Sequence, residues 1–205
     1  MDEAKEKLLL EAGGLFRRYG LKSVSMDDVS RHLGMSKKTL YQYVSSKEDL
    51  ISQVLEQKHC EEMEVTERIA KESVDAIDEF LQHSRFFIGE MRDVSPTTMY
   101  DMKKYYSHIW EKQMLGKIDE FVAGIEINLA RGIKEGLFRS DFIPGIIAKI
   151  YAQTVMAITD ITLFPGREIP IDRTIREHAI YHLYGVVTDL GRQRLKEHLE
   201  RQELY

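Results

Sequence analysis

Apolar residues recur every three to four positions along most of the chain, and this spacing places them on one face of an α-helix. The first such stretch predicts a helix over residues 3–19, with Gly20 as its C-terminal cap. The sequence contains no convincing run of alternating β-branched residues followed by a hairpin dipeptide, the pattern typical of a β-sheet. We therefore predict an all-α chain of about nine or ten helices, given the usual length of helices in globular proteins.

Two short helices follow, joined by a turn that contains glycine. Ser25 and Asp28 have the spacing of a capping box and predict a helix over residues 26–33. Gly34 permits a tight turn, and the serine two positions later predicts the cap of a further helix over residues 37–43. Two helices joined in this way form a helix-turn-helix, whose second helix enters the major groove of DNA.

The charge of the chain is unevenly distributed. Residues 17–47 contain seven basic and two acidic residues, a net +5, while the whole chain has a formal net charge of −5, so the remainder carries −10. A basic segment on an acidic body indicates an anionic partner at one end of the chain. The second helix of the motif carries lysines beside tyrosines, and a surface helix with chance lysines is the less favoured interpretation.

The residues expected to meet DNA lie in this basic segment. The first turn of the second helix points into the groove, and tyrosine hydroxyls can reach phosphate oxygens or base edges. Lys47 begins a fourth predicted helix, capped by Ser45 or Ser46 and running to about His59, where free backbone N–H groups favour a phosphate. The predicted DNA-contacting residues are Ser25, Ser36, Lys37, Lys38, Thr39, Tyr41, Gln42, Tyr43 and Lys47.

Residues 15–55 resemble the N-terminal DNA-binding domain of the TetR (tetracycline-repressor-like) family of transcriptional regulators. Many positions agree in order and spacing, rather than one short pattern. Val44 departs from the resemblance, since the family usually has the larger phenylalanine at this position. The matching positions are Phe16, Gly20, Ser25, Val29, His32, Leu33, Gly34, Ser36, Thr39, Leu40, Tyr41, Tyr43, Ser46, Lys47, Glu48, Asp49 and Leu50.

The resemblance implies a helix-turn-helix DNA-binding domain over residues 1–47 and a helical ligand-binding and dimerisation domain over residues 48–205. It implies base recognition by the third helix and phosphate contacts from Ser25, Tyr41 and Lys47. The implied function is a ligand-responsive regulator, most often a repressor, that binds a near-palindromic operator of double-stranded DNA as a homodimer. A small, largely apolar effector would release it, and no cofactor is implied.

A different class of protein is the alternative. The chain would then be a helical binding protein for a hydrophobic ligand or a protein partner, with a helix-turn-helix that does not read DNA. The intact set of Lys37, Tyr41 and Lys47 argues against it. Catalytic motifs such as G-x-S-x-G, H-E-x-x-H and the P-loop do not occur, so the sequence predicts no enzyme and no catalytic residues.

The C-terminal part of the chain predicts a dimer interface. The segment at 136–144 is similar to the loop before the dimer helices of such regulators, with Phe138 as its anchor, Asp141 as an N-cap and its proline in the next helix. Helices are predicted over about 143–163 and 171–199, and the second is apolar on two faces, one of which can meet a partner. The predicted interface residues are Ile147, Tyr151, Val155, Ile158, Leu183, Val186, Val187 and Leu190.

Large, soft side chains concentrate in the middle of the chain. Methionine and aromatic residues can line an adaptable apolar pocket, although at helical spacing they more often form an ordinary core, and the resemblance is what favours the pocket. Pro96 would begin or break a helix, which makes the loop over 92–98 a candidate gate. The predicted ligand-binding residues are Phe87, Met91, Met102, Tyr105, Tyr106, Trp110, Met114, Phe121 and Tyr151.

Other signals favour ordinary roles. His178 and His182 are four positions apart, but two ligands are too few for a metal site, and interface or surface histidines are the favoured interpretation. Cys60 is the single cysteine, which excludes an internal disulfide and fits a reducing compartment. No apolar run reaches the roughly 18–20 residues of a membrane span, and the acidic start does not resemble a signal peptide. We therefore expect a cytoplasmic protein.

Overall fold

The computed structural model describes residues 3–92, 94–160 and 170–202. Over these ranges the chain forms ten α-helices and a single isolated backbone bridge, between Phe138 and Val187, which agrees with the predicted all-α class. The helices are α1 (Glu3–Tyr19), α2 (Met26–His32), α3 (Lys37–Tyr43), α4 (Lys47–Glu72), α5 (Ala76–Arg92), α6 (Pro96–Tyr105), α7 (Ser107–Lys134), α8 (Pro144–Thr159), α9 (Ile171–Val186) and α10 (Asp189–Gln202).

The first three helices have the predicted bounds to within one residue, but two later predictions were wrong. Helix α4 does not end near residue 59 and continues to Glu72. The single helix predicted over 171–199 is interrupted after Val186, because Val187 is extended. Thr188 then donates its backbone N–H to the carbonyl of Leu137, at 2.9 Å, and its hydroxyl accepts the N–H of Gly191 at 3.1 Å, as an N-cap does.

The chain divides into two compact units. The head unit comprises the described residues of 1–65 and 93–115, and the body unit comprises those of 66–92 and 116–205. This division differs from the predicted boundary after residue 47, because α6 and the first part of α7 join the helix-turn-helix, and α4 contributes residues to both units. Within the described ranges, no helix is long and apolar enough to cross a membrane.

The core of the head unit is built from α1 to α4 together with side chains of α6 and α7. Helix α6 is fixed to the end of α1 by backbone contacts: the N–H of Ser95 donates to the carbonyl of Arg17 at 3.0 Å, and the hydroxyl of Thr98 donates to that of Phe16 at 3.0 Å. Pro96 occupies the first turn of α6, as predicted. The helix-turn-helix and α6 therefore belong to one packed structure.

The core of the body unit is formed by α5, α7, α8, α9 and α10. The loop before α8 is anchored by Phe138, which is buried as predicted against the body core. Asp141 is not the N-cap of α8: its carboxylate pairs with Arg139 at 2.9 Å, and Ile143 occupies the cap position without a side-chain hydrogen bond. The prediction of an Asp141 cap was wrong because the arginine two residues earlier competes for the same carboxylate.

Buried ion pairs fix the start of α5 to distant helices of the body unit. Asp75 accepts hydrogen bonds from Arg194 Nε at 2.7 Å and from His198 Nε2 at 2.9 Å, across more than one hundred positions of sequence. Arg131 donates to Glu79 at 2.7 Å and to the hydroxyl of Ser73 at 2.8 Å. Such pairs stabilise a fold when their remaining hydrogen-bonding positions are also satisfied.

Candidate nucleic-acid interface

The turn between α1 and α2 is closed by a complete capping box. The hydroxyl of Ser25 accepts the backbone N–H of Asp28 at 3.2 Å, and the Asp28 carboxylate accepts the backbone N–H of Ser25 at 2.9 Å. The Ser25 hydroxyl also donates to the Asp28 carboxylate at 2.6 Å, and this bond, together with the one from the Ser25 backbone N–H, lowers the pKa of Asp28 below its ordinary value. Helix α2 therefore begins at a fixed position, and Gly34 allows the turn to α3 with a φ of +64°.

Helix α3 buries one face and presents the other to solvent. Leu40 is fully buried in the head core, and Val44 closes the helix at 2% exposure. Ser36 caps the start of the helix by accepting the N–H of Thr39 at 3.1 Å. The outward face carries Lys37, Lys38, Tyr41 and Gln42, all exposed.

Three predicted contacts are partly engaged within the head unit. Lys37 forms an ion pair with Asp27, at 2.5 Å between Nζ and Oδ1. The hydroxyl of Thr39 is 2.8 Å from that of Ser36, so it also serves the cap. Tyr43 packs partly against the head core, unlike the exposed Tyr41. Lys38, Tyr41 and Gln42 are exposed on the same face, where Lys37 is already paired with Asp27.

Lys47 lies beside the turn between α1 and α2. Its ammonium donates to the carbonyl of Lys22 at 3.4 Å and lies 6.0 Å from the centre of the Tyr106 ring. Burial lowers the pKa of Lys47, against the attraction of the Asp101 and Asp28 carboxylates. A phosphate at the start of α4 would therefore supply a charge partner that this half-buried cation otherwise has only at longer range.

The structure does not bring together the nine predicted ligand-binding residues. Met102, Tyr106 and Trp110 pack in or on the core of the head unit, and Tyr105 is exposed in the same unit. The body unit holds the other described members, Phe87, Met91, Phe121 and Tyr151, while the side chain of Met114 lies outside the described part of the chain. The sequence could not separate the two groups because α6 and α7 supply core residues to the head unit.

Two histidines of the body unit pack against aromatic rings. His178 and His182 are both partly buried: the His178 ring stacks on Tyr151 at a centroid distance of 4.8 Å, and the His182 ring on Phe80 at 5.1 Å. His178 Nδ1 and His182 Nε2 are buried and have no hydrogen-bond partner among the described residues. Their spacing of one helical turn indicates that the two side chains share a face of α9. Sequence alone does not show that this face meets α5 and α8.

Burial keeps these imidazoles neutral. It lowers the pKa of His178, and together with the neighbouring His178 it lowers the pKa of His182 to about 4. Burial raises the pKa of the adjacent Tyr151 hydroxyl to about 12, against a hydrogen bond with Ser84. Within the described ranges, no cluster of three or more His, Cys, Asp or Glu residues could hold a metal. The two nitrogens are thus suited to hydrogen bonds with a polar group of a ligand.

Most of the predicted dimer residues lie inside the body unit. Tyr151, Val155, Ile158, Leu183, Val186 and Val187 are buried within it, Ile147 packs partly against the same core, and only Leu190 is largely exposed. The buried members are not available to a partner at the surface of this unit. Exposed apolar residues occupy other positions of the same helices, namely Ile143, Ile146, Ile150 and Tyr181. The predicted interface residues are therefore mostly core residues of this unit, and the sequence could not separate the buried face of these helices from the exposed one.

Known proteins resemble this chain in both sequence and fold. Residues 5–54 match the profile of the family described as bacterial regulatory proteins, tetR family. An uncharacterized HTH-type transcriptional regulator of Bacillus subtilis (strain 168), YvaF, is 30% identical over 106 residues, which cover 51% of this chain and 55% of that protein. The match therefore spans about half the length of the curated relative.

Solved structures extend the likeness of fold along the chain. A TetR-family transcriptional regulator from Agrobacterium tumefaciens superposes with a TM-score of 0.72 at 17% identity, over 90% of this chain and 98% of that one. A regulator from Saccharomonospora viridis, solved in complex with choline, gives a TM-score of 0.65 at 19% identity, over 92% and 100% of the two chains. At these identities the likeness concerns the fold.

The fold and the exposed basic face of α3 define a helix-turn-helix protein with a helical C-terminal unit. Its N-terminal segment, residues 5–54, matches the tetR family of bacterial regulatory proteins, and its fold is similar to that of a solved TetR-family regulator. That family consists of transcriptional regulators, in agreement with the prediction of a regulator rather than an enzyme.

Proposed function

We propose that the protein is a DNA-binding transcriptional regulator whose helix α3 reads an operator in the major groove. The observation that carries the proposal is the exposed face of α3, with Lys37, Lys38, Tyr41 and Gln42 held outward by the buried Leu40. An α-helix fits the major groove, and side chains of its first turns reach base edges. A duplex DNA partner would be met in the cytoplasm, and we therefore propose that location.

The residues divide into two roles by their positions. Lys38 and Thr39, in the first turn of α3, would contact base edges and determine sequence preference. Ser25, Tyr41 and Lys47 would contact phosphates and fix the orientation of the head unit, without reading sequence. Ser36, Gln42 and Tyr43 would support this contact, and Lys37 would exchange its pair with Asp27 for the DNA backbone.

The protein would act as a homodimer on a near-palindromic site. Two heads of a symmetric dimer recognise half-sites about one helical turn apart, roughly 34–36 Å, or somewhat more. We assign the interface to the exposed apolar residues Ile143, at the cap of α8, Ile146 and Ile150 of α8 and Tyr181 of α9, together with Leu190 and the half-buried Ile147, since large exposed apolar patches mark protein contacts. Burial of such a patch on both copies supplies the driving force of association.

An effector would bind in the body unit and release DNA, so that the protein acts as a repressor. The aromatic residues Phe87, Phe121 and Tyr151 favour a largely apolar molecule, and the unpartnered nitrogens of His178 and His182 would bind its polar group. A structure of similar fold, the regulator from Saccharomonospora viridis, was solved in complex with choline, which supports a small-molecule effector. Release requires that the effector bind the DNA-free state more tightly, and the coupling free energy equals that difference.

Selection of bound sites from a random duplex pool tests the DNA-binding proposal. Purified protein at near-physiological salt should enrich an inverted repeat, and Lys38→Ala should change the enriched sequence while Lys47→Ala weakens binding to every sequence. Lys134→Gln, an exposed lysine of the body unit, is the control for the loss of one positive charge. No enrichment by folded, dimeric wild-type protein would contradict the proposal and favour a binding protein that does not read DNA.

A further inference from the structure

The head unit carries a second basic surface outside the helix-turn-helix. Helix α6 ends with Lys104 and Tyr105, and both lie beside Lys22 in the turn between α1 and α2. The Lys22 ammonium is 4.0 Å from the centre of the Tyr105 ring, and the Lys104 ammonium is 5.4 Å from the same centre. Two positive charges therefore flank one exposed phenol.

This arrangement is held in place by the packing of α6. The carboxylate of Asp101 accepts the backbone N–H of Lys22 at 2.8 Å, which joins α6 to the turn before α2. Met102, one residue further along, is buried in the head core. Lys104 is oriented in turn by Tyr100, whose hydroxyl accepts its hydrogen bond at 2.6 Å. The cations are thus fixed relative to the helix-turn-helix.

The charges at this surface are unbalanced. Among the described residues neither Lys22 nor Lys104 forms an ion pair with a carboxylate, although both side chains are exposed. The nearest acid, Asp101, is buried and already accepts the N–H of Lys22. The two ammonium groups also lower the pKa of Tyr105, chiefly through a hydrogen bond with Lys22. Such a surface attracts an anion that presents oxygen acceptors.

The position of the surface indicates which anion it meets. The Lys47 ammonium, a proposed phosphate contact, donates to the backbone carbonyl of Lys22 at 3.4 Å. A phosphate bound by Lys47 would therefore lie next to the backbone of Lys22. Duplex DNA carries a phosphate every 3.4 Å of axis along each strand, so neighbouring phosphates extend beyond the one at Lys47.

We propose that Lys22, Lys104 and Tyr105 form an additional phosphate-binding surface, through which α6 contacts the DNA backbone next to the phosphate held by Lys47. This surface rests on the proposed DNA-binding function and enlarges its footprint beyond the helix-turn-helix. The contacts contribute affinity and orientation without reading bases, because ammonium and phenol groups bind phosphate oxygens whatever the sequence.

Salt dependence of duplex binding tests the proposal. The full-length protein is titrated with its selected site at several salt concentrations, and the slope of log affinity against log salt is compared among variants. Each phosphate contact contributes about 0.9 to this slope, so Lys22→Gln and Lys104→Gln should each reduce it by about that amount and weaken binding by roughly 3- to 10-fold. Lys22→Arg and Lys104→Arg, which keep the charge, should retain the wild-type slope.

Two controls separate the possible failures. Lys134→Gln removes an equal charge from the body unit and should leave the slope unchanged, and thermal melting shows that each variant is folded. Single phosphates of the duplex are also ethylated in turn. Ethylation of the phosphate at this surface should weaken binding of the wild-type protein but not binding of Lys104→Gln. If Lys47→Gln lowers the slope while Lys22→Gln and Lys104→Gln do not, the additional surface is refuted and the regulator stands. If the wild-type protein shows no salt-dependent binding, the proposed function itself is refuted.

Discussion

The helix-turn-helix and the body unit differ in how far apart in sequence their contacts lie. The head core joins α1 to α4 by short connections, with caps such as Ser25 and Ser36 whose partners are three residues away. The body unit depends on pairs such as Asp75 with His198, at a separation of 123 positions. Local contacts can be recognised from sequence spacing, whereas distant ones depend on how whole helices pack.

The polar groups of the two units also have different orientations. The head unit points its lysines and tyrosines outward from α3 and α6, where a duplex can reach them. The body unit packs His178 and His182 against aromatic rings, with one buried nitrogen on each that has no partner among the described residues. The single tryptophan of the chain, Trp110, packs on the head core, so its fluorescence reports on that unit alone, while circular dichroism reports on both.

The largest effect is expected in the core of the head unit. Leu40 is fully buried, and Leu40→Ala removes a side chain on which α2, α3 and α4 converge. Such truncations cost about 2–5 kcal/mol. We expect the Trp110 fluorescence transition to shift to lower denaturant and duplex binding to be lost. Leu10→Ala, at a leucine that is 61% exposed on α1, is the matched control and should change little.

Acid should destabilise the body unit next, through His182. Its folded pKa of about 4 lies below the ordinary value of 6.5, because burial disfavours the charged form. Stability is therefore complete above pH 6.5 and is lost as the pH falls toward about 4, since the unfolded chain takes up the proton first. The full difference corresponds to about 3 kcal/mol.

The measurement is thermal melting between pH 7.5 and 4.5, followed by circular dichroism and by Trp110 fluorescence. The dichroism transition should shift to lower temperature before the fluorescence transition does. His182→Phe keeps a ring against Phe80 and removes the titrating nitrogen, so its melting should depend less on pH. An equal pH dependence in the wild type and this variant would show that His182 is not the group responsible.

A smaller effect is expected at the Asp75 network of the body unit. Burial alone raises the pKa of Asp75, but hydrogen bonds from the Asp78 N–H, Arg194 and His198 outweigh it and lower the pKa below its ordinary value of 3.8. This contribution to stability is present above pH 3.8 and is lost only as the pH falls further. It therefore acts in a more acidic range than His182.

Asp75→Asn removes the charge that Arg194 and His198 share. We expect a loss of about 2 kcal/mol at neutral pH, less than for a fully buried pair, because the Arg194 side chain is one-third exposed. Circular dichroism melting should register this loss. Asp119→Asn, an exposed carboxylate of α7, is the matched control. An unchanged melting temperature for Asp75→Asn would mean that α10 is held by its apolar contacts alone.

The helix-turn-helix could be predicted from the sequence in more detail than the body unit. Serine caps, the glycine turn at Gly34 and the buried Leu40 are encoded within a few positions, so both the motif and its exposed face could be predicted. The break before α10 could not, because it depends on the loop around Phe138 accepting the N–H of Thr188. The buried faces of α8 and α9 could not be predicted for a similar reason, since both faces are apolar and only packing decides which one is buried.

The smallest effect is expected at the cap of α3. It tests whether the first turn of this helix contacts DNA. Ser36→Ala removes the acceptor for the Thr39 N–H, at 3.1 Å, and with it about 1 kcal/mol from the first turn of the helix. That turn carries Lys37 and Lys38, so the loss falls on residues that we propose to contact DNA. We expect faster amide exchange at Thr39 and a duplex affinity lower by about 5-fold, since 1.4 kcal/mol corresponds to tenfold.

Ser23→Ala, at an exposed serine of the same unit, controls for the loss of a hydroxyl. The fluorescence transition of Trp110 should move little for either variant, because a seven-residue helix contributes its packing through Leu40 rather than through its cap. If Ser36→Ala exchanges faster at Thr39 but binds the duplex as tightly as Ser23→Ala does, the first turn of α3 does not face the DNA. The recognition surface would then have to be sought on α6 and at Lys47, where the other cations of the head unit lie.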